Sequence, residues 1–227
     1  MYVLGIDTST MTGGVALLAG EELIGESVLN ISSTHSERLL PALEKLLEDA
    51  GLRAADLGVI STVVGPGSFT GLRIGVATAK GLSYALNLPA VGVTTLEAFG
   101  WQFKYWPGVV IPLIDARRNR VYWQAFKGGE PLSEPTQGDL ADVYAWCSAQ
   151  AENCLFVGDG ALNYQGQIGD NVPKAAFVSA ALALLRPSAV AHLGYTRFQA
   201  GEKVDAFKLN PVYMRKTEAE LKWQDRM

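Results

Sequence analysis

The stretch that most constrains this chain is a glycine-rich block running from Val64 through Gly65, Pro66, Gly67 and Ser68 to Leu82. It follows an apolar run, residues 59–64, whose length and β-branched content predict a buried strand. The block then becomes helical to about Leu86, where Asn87 and Pro89 act as stop signals. A strand, a Gly-Pro-Gly turn and a helix rich in small residues place backbone N–H groups at a helix N-terminus, which suits an anion or a closely docked surface. The spacing is not that of a Walker A loop, because no Gly-Lys-Ser/Thr follows and Lys80 lies well inside the helix. Ser68 or Thr70 would cap that helix. A structural use and an anion-binding use of the turn are both open at this point.

The chain opens with a strand, residues 2–6, that leads into Asp7, Thr8, Ser9 and Thr10. A carboxylate at a strand tip followed by hydroxyls can orient a magnesium-bound phosphate. The same residues also suit a turn that bonds its own backbone. Residues 13–18 and 22–29 predict a hairpin. Leu39, Leu40, Leu43, Leu46 and Leu47 form one stripe of a helix over 37–50. Pro41 is in tension with it, which predicts either a helix that starts near Leu40 or a kinked first turn. With strands at 59–64 and 90–93 and helices at 70–86 and 95–103, the first hundred residues read β-β-β-α-β-α-β-α, a mixed sheet covered by helices.

After Trp106-Pro107-Gly108 the pattern restarts. Residues 109–115 predict a strand ending in Asp115, followed by a strand at 120–126, a helix at 139–150, a strand at 155–157 entering Gly158-Asp159-Gly160, and a helix at 187–200. The order recurs at about a hundred residues, as two related lobes of a duplicated fold would. The lobes are expected at 1–105 and 106–227. Residues 211–215 are expected as a strand or packed arm, and the charged residues after them as a tail.

Within the second helix Gly71, Gly75, Ala79 and Ser83 recur every four residues and so share one face. An interior helical glycine costs about 1 kcal/mol relative to alanine. Two of them point to a backbone that comes close, either the chain's own sheet or a helix of a second subunit.

Composition narrows the function. With 48% hydrophobic and 19% charged residues over 227 positions, the chain folds around a core. A net charge of −4 argues against a bare nucleic-acid-binding surface. Arg117, Arg118 and Arg120, and Arg215 with Lys216, are local basic clusters that read as solvated surface charge. Cys147 and Cys154 form no C-x-x-C pair and read as reduced thiols. No apolar run approaches the ~20 residues of a membrane span, and no basic-then-apolar leader opens the chain, so a cytoplasmic protein with no membrane contact is expected. His35 and His192 lie in no metal-ligand pattern, and no G-x-S-x-G elbow occurs. Asp115 could face Asp7 across a cleft, but no self-sufficient catalytic set emerges.

These residues resemble the TsaB (YeaZ) family of bacterial tRNA threonylcarbamoyladenosine biosynthesis proteins. The resemblance rests on residues 4–10, on His35-Ser36 with Leu39 to Pro41 and Ala50 to Leu52, and above all on Gly65 to Gly75 with Ala79 to Gly81. Gly92-Val93 with Thr95 to Glu97, Ile114 to Ala116 with Val121-Tyr122, and Pro211 to Tyr213 with Arg215 complete it, so that it spans nearly the whole chain. It implies an α/β protein with two actin-like lobes of the ASKHA (ribonuclease H-like) type, a mixed sheet in each and the second lobe reduced. Asp7, Thr8, Ser9 and Thr10 would then be a degenerate phosphate loop at the mouth of the cleft.

The related catalytic subunit, TsaD, holds its metal by two histidines four apart after a Gly-Val pair. Here Thr95 and Phe99 stand at those places and neither replaces an imidazole, which implies no metal site. Asp115 to Arg118 stand where a glycine-rich turn would bind phosphate, and Asp159 interrupts the second glycine turn with a charge that repels phosphates. The resemblance therefore implies no intrinsic cofactor, with ATP or ADP left as a candidate at the subunit junction.

The implied function is that of a non-catalytic partner, a homodimer when alone. It would work with a TsaD-like catalytic subunit and a TsaE-like ATPase in threonylcarbamoylation of N6 of the adenosine beside the anticodon, in tRNAs reading codons that begin with adenine. Transfer RNA would be touched only through the complex. The implied partner interface is His35, Leu39, Leu43, Gly71, Arg73, Gly75, Ala79 and Ser83. The alternatives are an ATP-dependent phosphotransferase or ATPase of the same fold and, more distantly, a metallopeptidase.

Overall fold

The computed structural model describes residues 1–30, 35–202 and 208–214, with His35 described by its backbone alone. The first half of the chain contains β1 (Tyr2–Asp7), β2 (Thr12–Ala19), β3 (Glu22–Asn30), α1 (His35–Asp49), β4 (Leu57–Gly65), α2 (Phe69–Leu86), β5 (Ala90–Thr94) and α3 (Thr95–Gln102). Its sheet has the order β3-β2-β1-β4-β5. β1 runs antiparallel to β2, with Leu4 opposite Leu17, and parallel to β4, with Leu4 opposite Ile60. Ser68 caps α2 by accepting from the Gly71 N–H, and Asn87 closes it in the left-handed conformation that asparagine tolerates.

Period-2 alternation sends one set of side chains to each face of this sheet. Leu4, Ile6, Val15 and Leu17 pack under Leu39, Leu43 and Leu47 of α1 and Val76 and Ala79 of α2. Pro41 sits inside α1, whose residues 35–40 are already helical, so the helix does not begin near Leu40. The proline ring itself is exposed.

The second half repeats this plan. It contains β6 (Val109–Asp115), β7 (Arg120–Trp123), β8 (Phe126–Lys127), β9 (Glu130–Pro131), β10 (Thr136–Asp139), α4 (Leu140–Ser148), β11 (Cys154–Val157), α5 (Asp159–Asn163), α6 (Gln165–Asn171), β12 (Ala175–Phe177) and α7 (Pro187–Gln199). Its main path is β10-β7-β6-β11-β12, with β8 and β9 attached through β6. β6 is antiparallel to β7 and parallel to β11, as β1 is to β2 and β4. The duplicated strand order is thus visible in the topology. The reduction is visible too, since α2 spans 18 residues and its counterpart α5 spans 5.

The expected division at 105/106 separates the two sheets but not the rest of the chain. α7 returns to the first sheet and covers the face that α1 and α2 leave open. Val3, Ala16, Leu18, Val59, Val91 and Ala191 pack together there, and the Ser61 hydroxyl donates to the Val190 carbonyl at 2.8 Å. Glycine is required at Gly5, because a Cβ would collide with the carbonyl of Pro187. Glu26 of β3 fixes the start of α7: its carboxylate accepts from the Ser188 N–H at 2.8 Å and pairs with Arg186. An anion at a helix N-terminus is stabilising. Leu209 is buried in the first core, and the Val212 N–H donates to the Val64 carbonyl at 2.7 Å. Residues 187–199 and 208–214 therefore pack with the first sheet, not the second. A further core joins the halves, with Val63, Leu96 and Phe99 against Val110, Ile114 and Phe126.

Candidate functional site

A cleft of about 670 Å³ opens between the two sheets. The turn after β1, the start of α2, the end of β6, the start of α5 and the arm at 212–214 line it.

The turn after β1 is closed on itself. Asp7 Oδ1 accepts from the Ser9 N–H at 2.8 Å and from the Ser9 hydroxyl at 2.7 Å. The Thr8 hydroxyl donates to the Gly71 carbonyl at 2.7 Å, and Thr10 Oγ1 accepts from the Thr12 N–H at 3.2 Å. Asp7, Thr8 and Ser9 are buried. Of the four expected phosphate-loop residues, Ser9 and Thr10 line the cleft; Asp7 and Thr8 are not among its lining residues. Three hydroxyls that could meet a phosphate are thus engaged with this chain's own groups, the turn-forming alternative raised by the sequence.

The glycine turn packs directly on these residues. The Ser68 N–H donates to the Ser9 carbonyl at 2.6 Å, and the Thr95 hydroxyl donates to the Pro66 carbonyl at 2.6 Å. A Cβ at Gly67 would collide with the Ser9 carbonyl, and one at Gly71 with the Thr8 carbonyl. Small residues here let two backbones meet.

The stripe of Gly71, Gly75, Ala79 and Ser83 is consequently the inner face of α2. All four are buried, and a Cβ at Gly75 would strike the Thr8 hydroxyl. Ser83 donates to the Leu88 carbonyl within the chain. Leu39 and Leu43 are core residues as well. These six cannot form a partner surface while the chain is folded, which corrects the sequence-based interface. Period-4 spacing defines a face and does not say which way it points. His35 opens α1, but its side chain lies outside the described residues. Arg73 is exposed.

On the other wall, Asp115 ends β6 and Asp159 begins α5. Asp159 Oδ1 accepts from the Asp115 N–H at 3.1 Å and the Gly160 N–H at 2.9 Å. Burial pushes the Asp159 carboxyl above the usual carboxylate range, with the Asp115 charge adding to the shift against opposing backbone hydrogen bonds. Asp115 accepts from the Arg117 N–H at 2.7 Å and from Asn163 Nδ2 at 3.1 Å. Arg117, Arg118 and Asn119 adopt φ of 62°, 54° and 63°, a left-handed conformation that glycine would take at lower cost. No local pattern in the chain announces this run of three.

The stretch at 92–99 is built into the fold. Thr95 and Phe99 are buried, and Glu97 closes a capping box with Thr94 and pairs with Arg197 at 2.7 Å. Among the described residues no group of three histidine, cysteine, aspartate or glutamate side chains could hold a metal. Cys147 and Cys154 are buried free thiols, and their mutual hydrogen bond together with burial holds the Cys147 thiol well above its ordinary value. Among the described residues no helix is long and apolar enough to cross a membrane.

Two sheets of matching strand order around a cleft define an actin-like α/β protein. The same architecture occurs in component A of the (R)-2-hydroxyglutaryl-CoA dehydratase of Acidaminococcus fermentans, at TM-score 0.54 and 12% identity over 89% of this chain and 100% of that one. Residues 24–223 match the family model for TsaD, tRNA N6-adenosine threonylcarbamoyltransferase. The tRNA threonylcarbamoyladenosine biosynthesis protein TsaB of Bacillus subtilis is 36% identical over 98% of both chains. A Pseudomonas aeruginosa structure described as similar to peptidase YEAZ superposes with TM-score 0.80 at 28% identity, covering 94% of this chain and 99% of that one. The chain belongs to the TsaB (YeaZ) family of tRNA threonylcarbamoyladenosine biosynthesis proteins.

Proposed function

We propose that this chain is a cytoplasmic, non-catalytic partner subunit. It joins a TsaD-like catalytic subunit and a TsaE-like ATPase to threonylcarbamoylate N6 of the adenosine beside the anticodon in tRNAs reading codons that begin with adenine. The observation that supports this most is the state of the β1 turn, where Thr8, Ser9 and Thr10 spend their hydroxyls on the chain's own groups. The facing wall adds two carboxylates, Asp115 and Asp159. A triphosphate would meet the Asp115 and Asp159 carboxylates beside Arg117 on one wall and, on the other, a β1 turn whose hydroxyls are already engaged, which supports a cleft with no tight nucleotide site of its own. In this reading ATP or ADP is held, if at all, where the partner completes the site, and tRNA is met through the complex.

The partner surface in this reading is the outer face of α2. Arg73, Ala77, Gly81 and Ala85 are exposed at four-residue spacing, and a Cβ at Gly81 would meet nothing within 4 Å. Tyr84, 72% exposed, and Leu40 of α1, 46% exposed, add apolar area. A flat strip flanked by apolar side chains permits close helix–helix approach and is the kind of surface an interface buries.

Reconstituted tRNA modification with and without this chain tests the reading. Modification is expected to require it, and calorimetry of the isolated chain with Mg-ATP is expected to give no stoichiometric binding. Turnover of ATP by the isolated chain at enzymatic rates would establish the phosphotransferase or ATPase alternative instead.

A further inference from the structure

The only two cysteines of the chain meet inside the second half of the molecule. Cys147 is buried in the last turn of α4, and Cys154 is the first residue of β11. Both pack in one core with Val109, Phe156 and Val172, and the two thiols hydrogen-bond to each other. Their backbones are fixed from outside the pair. The Cys147 carbonyl accepts from the Gln150 N–H at 3.0 Å, and the Cys154 N–H donates to the Lys174 carbonyl at 3.0 Å. Residues 148–153 join the two as a surface turn, in which Ser148, Ala149, Ala151 and Asn153 are exposed. Cys154 Sγ donates to the Glu152 carbonyl of that turn at 3.9 Å, so only a short connection covers the sulfurs. The thiols are not equivalent. The hydrogen bond from Cys147 holds the Cys154 thiol below its ordinary value, with Lys174 assisting, against burial and the Glu152 charge. The same bond and burial keep the proton on Cys147. A thiol disposed to ionise beside one that stays protonated is the pairing of an attacking and a resolving cysteine.

We propose that Cys147 and Cys154 form a dithiol oxidation site, which hydrogen peroxide converts to an intramolecular disulfide that staples α4 to β11. The Cys154 thiolate attacks one peroxide oxygen. The O–O bond breaks, the departing hydroxide takes up a proton and leaves as water, and Cys154 becomes a sulfenic acid. The Cys147 sulfur then attacks the Cys154 sulfur. The S–O bond breaks, and the sulfenic hydroxyl leaves as water with the proton of Cys147. Two thiols have lost two electrons and two protons, and one peroxide has become two waters. Sulfurs already in contact need little backbone movement to bond. A single buried thiol would be inert, but here a second stands ready to capture the sulfenic acid before further oxidation. In a reducing compartment such a bond is transient and reports oxidant exposure, which agrees with both cysteines being free thiols in this structure. The site is remote from helices α1 and α2 and does not depend on the assignment of partners.

Treatment of the reduced full chain with hydrogen peroxide, followed by thiol titration in denaturant and intact mass, tests this. Both thiols are expected to disappear together, the mass to fall by two hydrogens, and a peptide map to join Cys147 to Cys154. Dithiothreitol is expected to restore both thiols. Cys147→Ala is expected to stop the reaction at a Cys154 sulfenic acid that dimedone traps. Cys154→Ala is expected to slow oxidation of the remaining thiol at least tenfold. The wild-type measurements decide the matter even where a variant fails to fold. Two thiols still titratable after the treatment overturn the proposal, as does a disulfide formed only between chains. A reaction that proceeds only at urea concentrations that unfold the chain overturns it as well, because the native contact would then play no part. Wild-type reactivity in a folded Cys154→Ala chain would remove Cys154 as the attacking sulfur and overturn the assigned order.

Discussion

Helix α2 carries small side chains on both of its faces. Toward the sheet, Gly71, Gly75, Ala79 and Ser83 are buried, and a Cβ on either glycine would collide with Thr8. Away from it, Ala77, Gly81 and Ala85 are exposed, and a Cβ on Gly81 would meet open space. The same residue types at the same spacing do different things. The inner glycines let the helix sit on the turn after β1, and that contact holds the Thr8 hydroxyl on a carbonyl of the helix. The outer ones leave a flat strip. Smallness on a helix is therefore informative only together with what lies within 4 Å of the missing atom.

One substitution made on both faces breaks or sharpens this contrast. Gly71→Ala forces a methyl group into the Thr8 backbone and is expected to cost on the order of 3 kcal/mol in denaturant unfolding. A loss below about 0.5 kcal/mol would mean that the helix can withdraw from β1, and the packed inner face would have to be abandoned. Thr8→Val keeps the volume but leaves the Gly71 carbonyl without its donor, for an expected loss of about 1–2 kcal/mol by the same measurement. Gly81→Ala is expected to act in the opposite direction. It adds helix propensity where no neighbour objects, for a gain of about 0.5–1 kcal/mol. Ala77→Trp is expected to leave the unfolding curve of the monomer where it was while abolishing self-association. A destabilised monomer would show that the outer face is not free.

The remainder of the molecule was legible to different depths for physical reasons. Strands β1, β2, β4, β6 and β11 could be read from alternation and apolar runs, since a sheet buried on both faces leaves few polar positions. Their boundaries moved by a residue or two. The short α5, α6, β9, β10 and β12 escaped because so few residues carry no period. Pro41 misled, because a proline's cost inside a helix is set by local geometry and can be offset by leucines that bury on the opposite side. At the site, Asp159 in the glycine turn and the Thr95/Phe99 pair in place of two histidines were visible as residue identities. The locking of Thr8 on Gly71 across 63 positions was not, and neither was the Arg73–Tyr213 contact across 140.

By itself the sequence determined the duplicated strand order, the two aspartates at matching strand ends, the glycine turn leading into α2, and the family. Each of these is carried by neighbours in the chain, whose period or identity survives without knowledge of the fold. Only the tertiary structure decided that α7 and the arm at 208–214 belong with the first sheet, that the stripe of Gly71 and Gly75 faces inward, and that the hydroxyls of the first turn are already engaged. Those outcomes depend on contacts between residues far apart in sequence, where burial and hydrogen-bond partners are set by three-dimensional closure that no local pattern records.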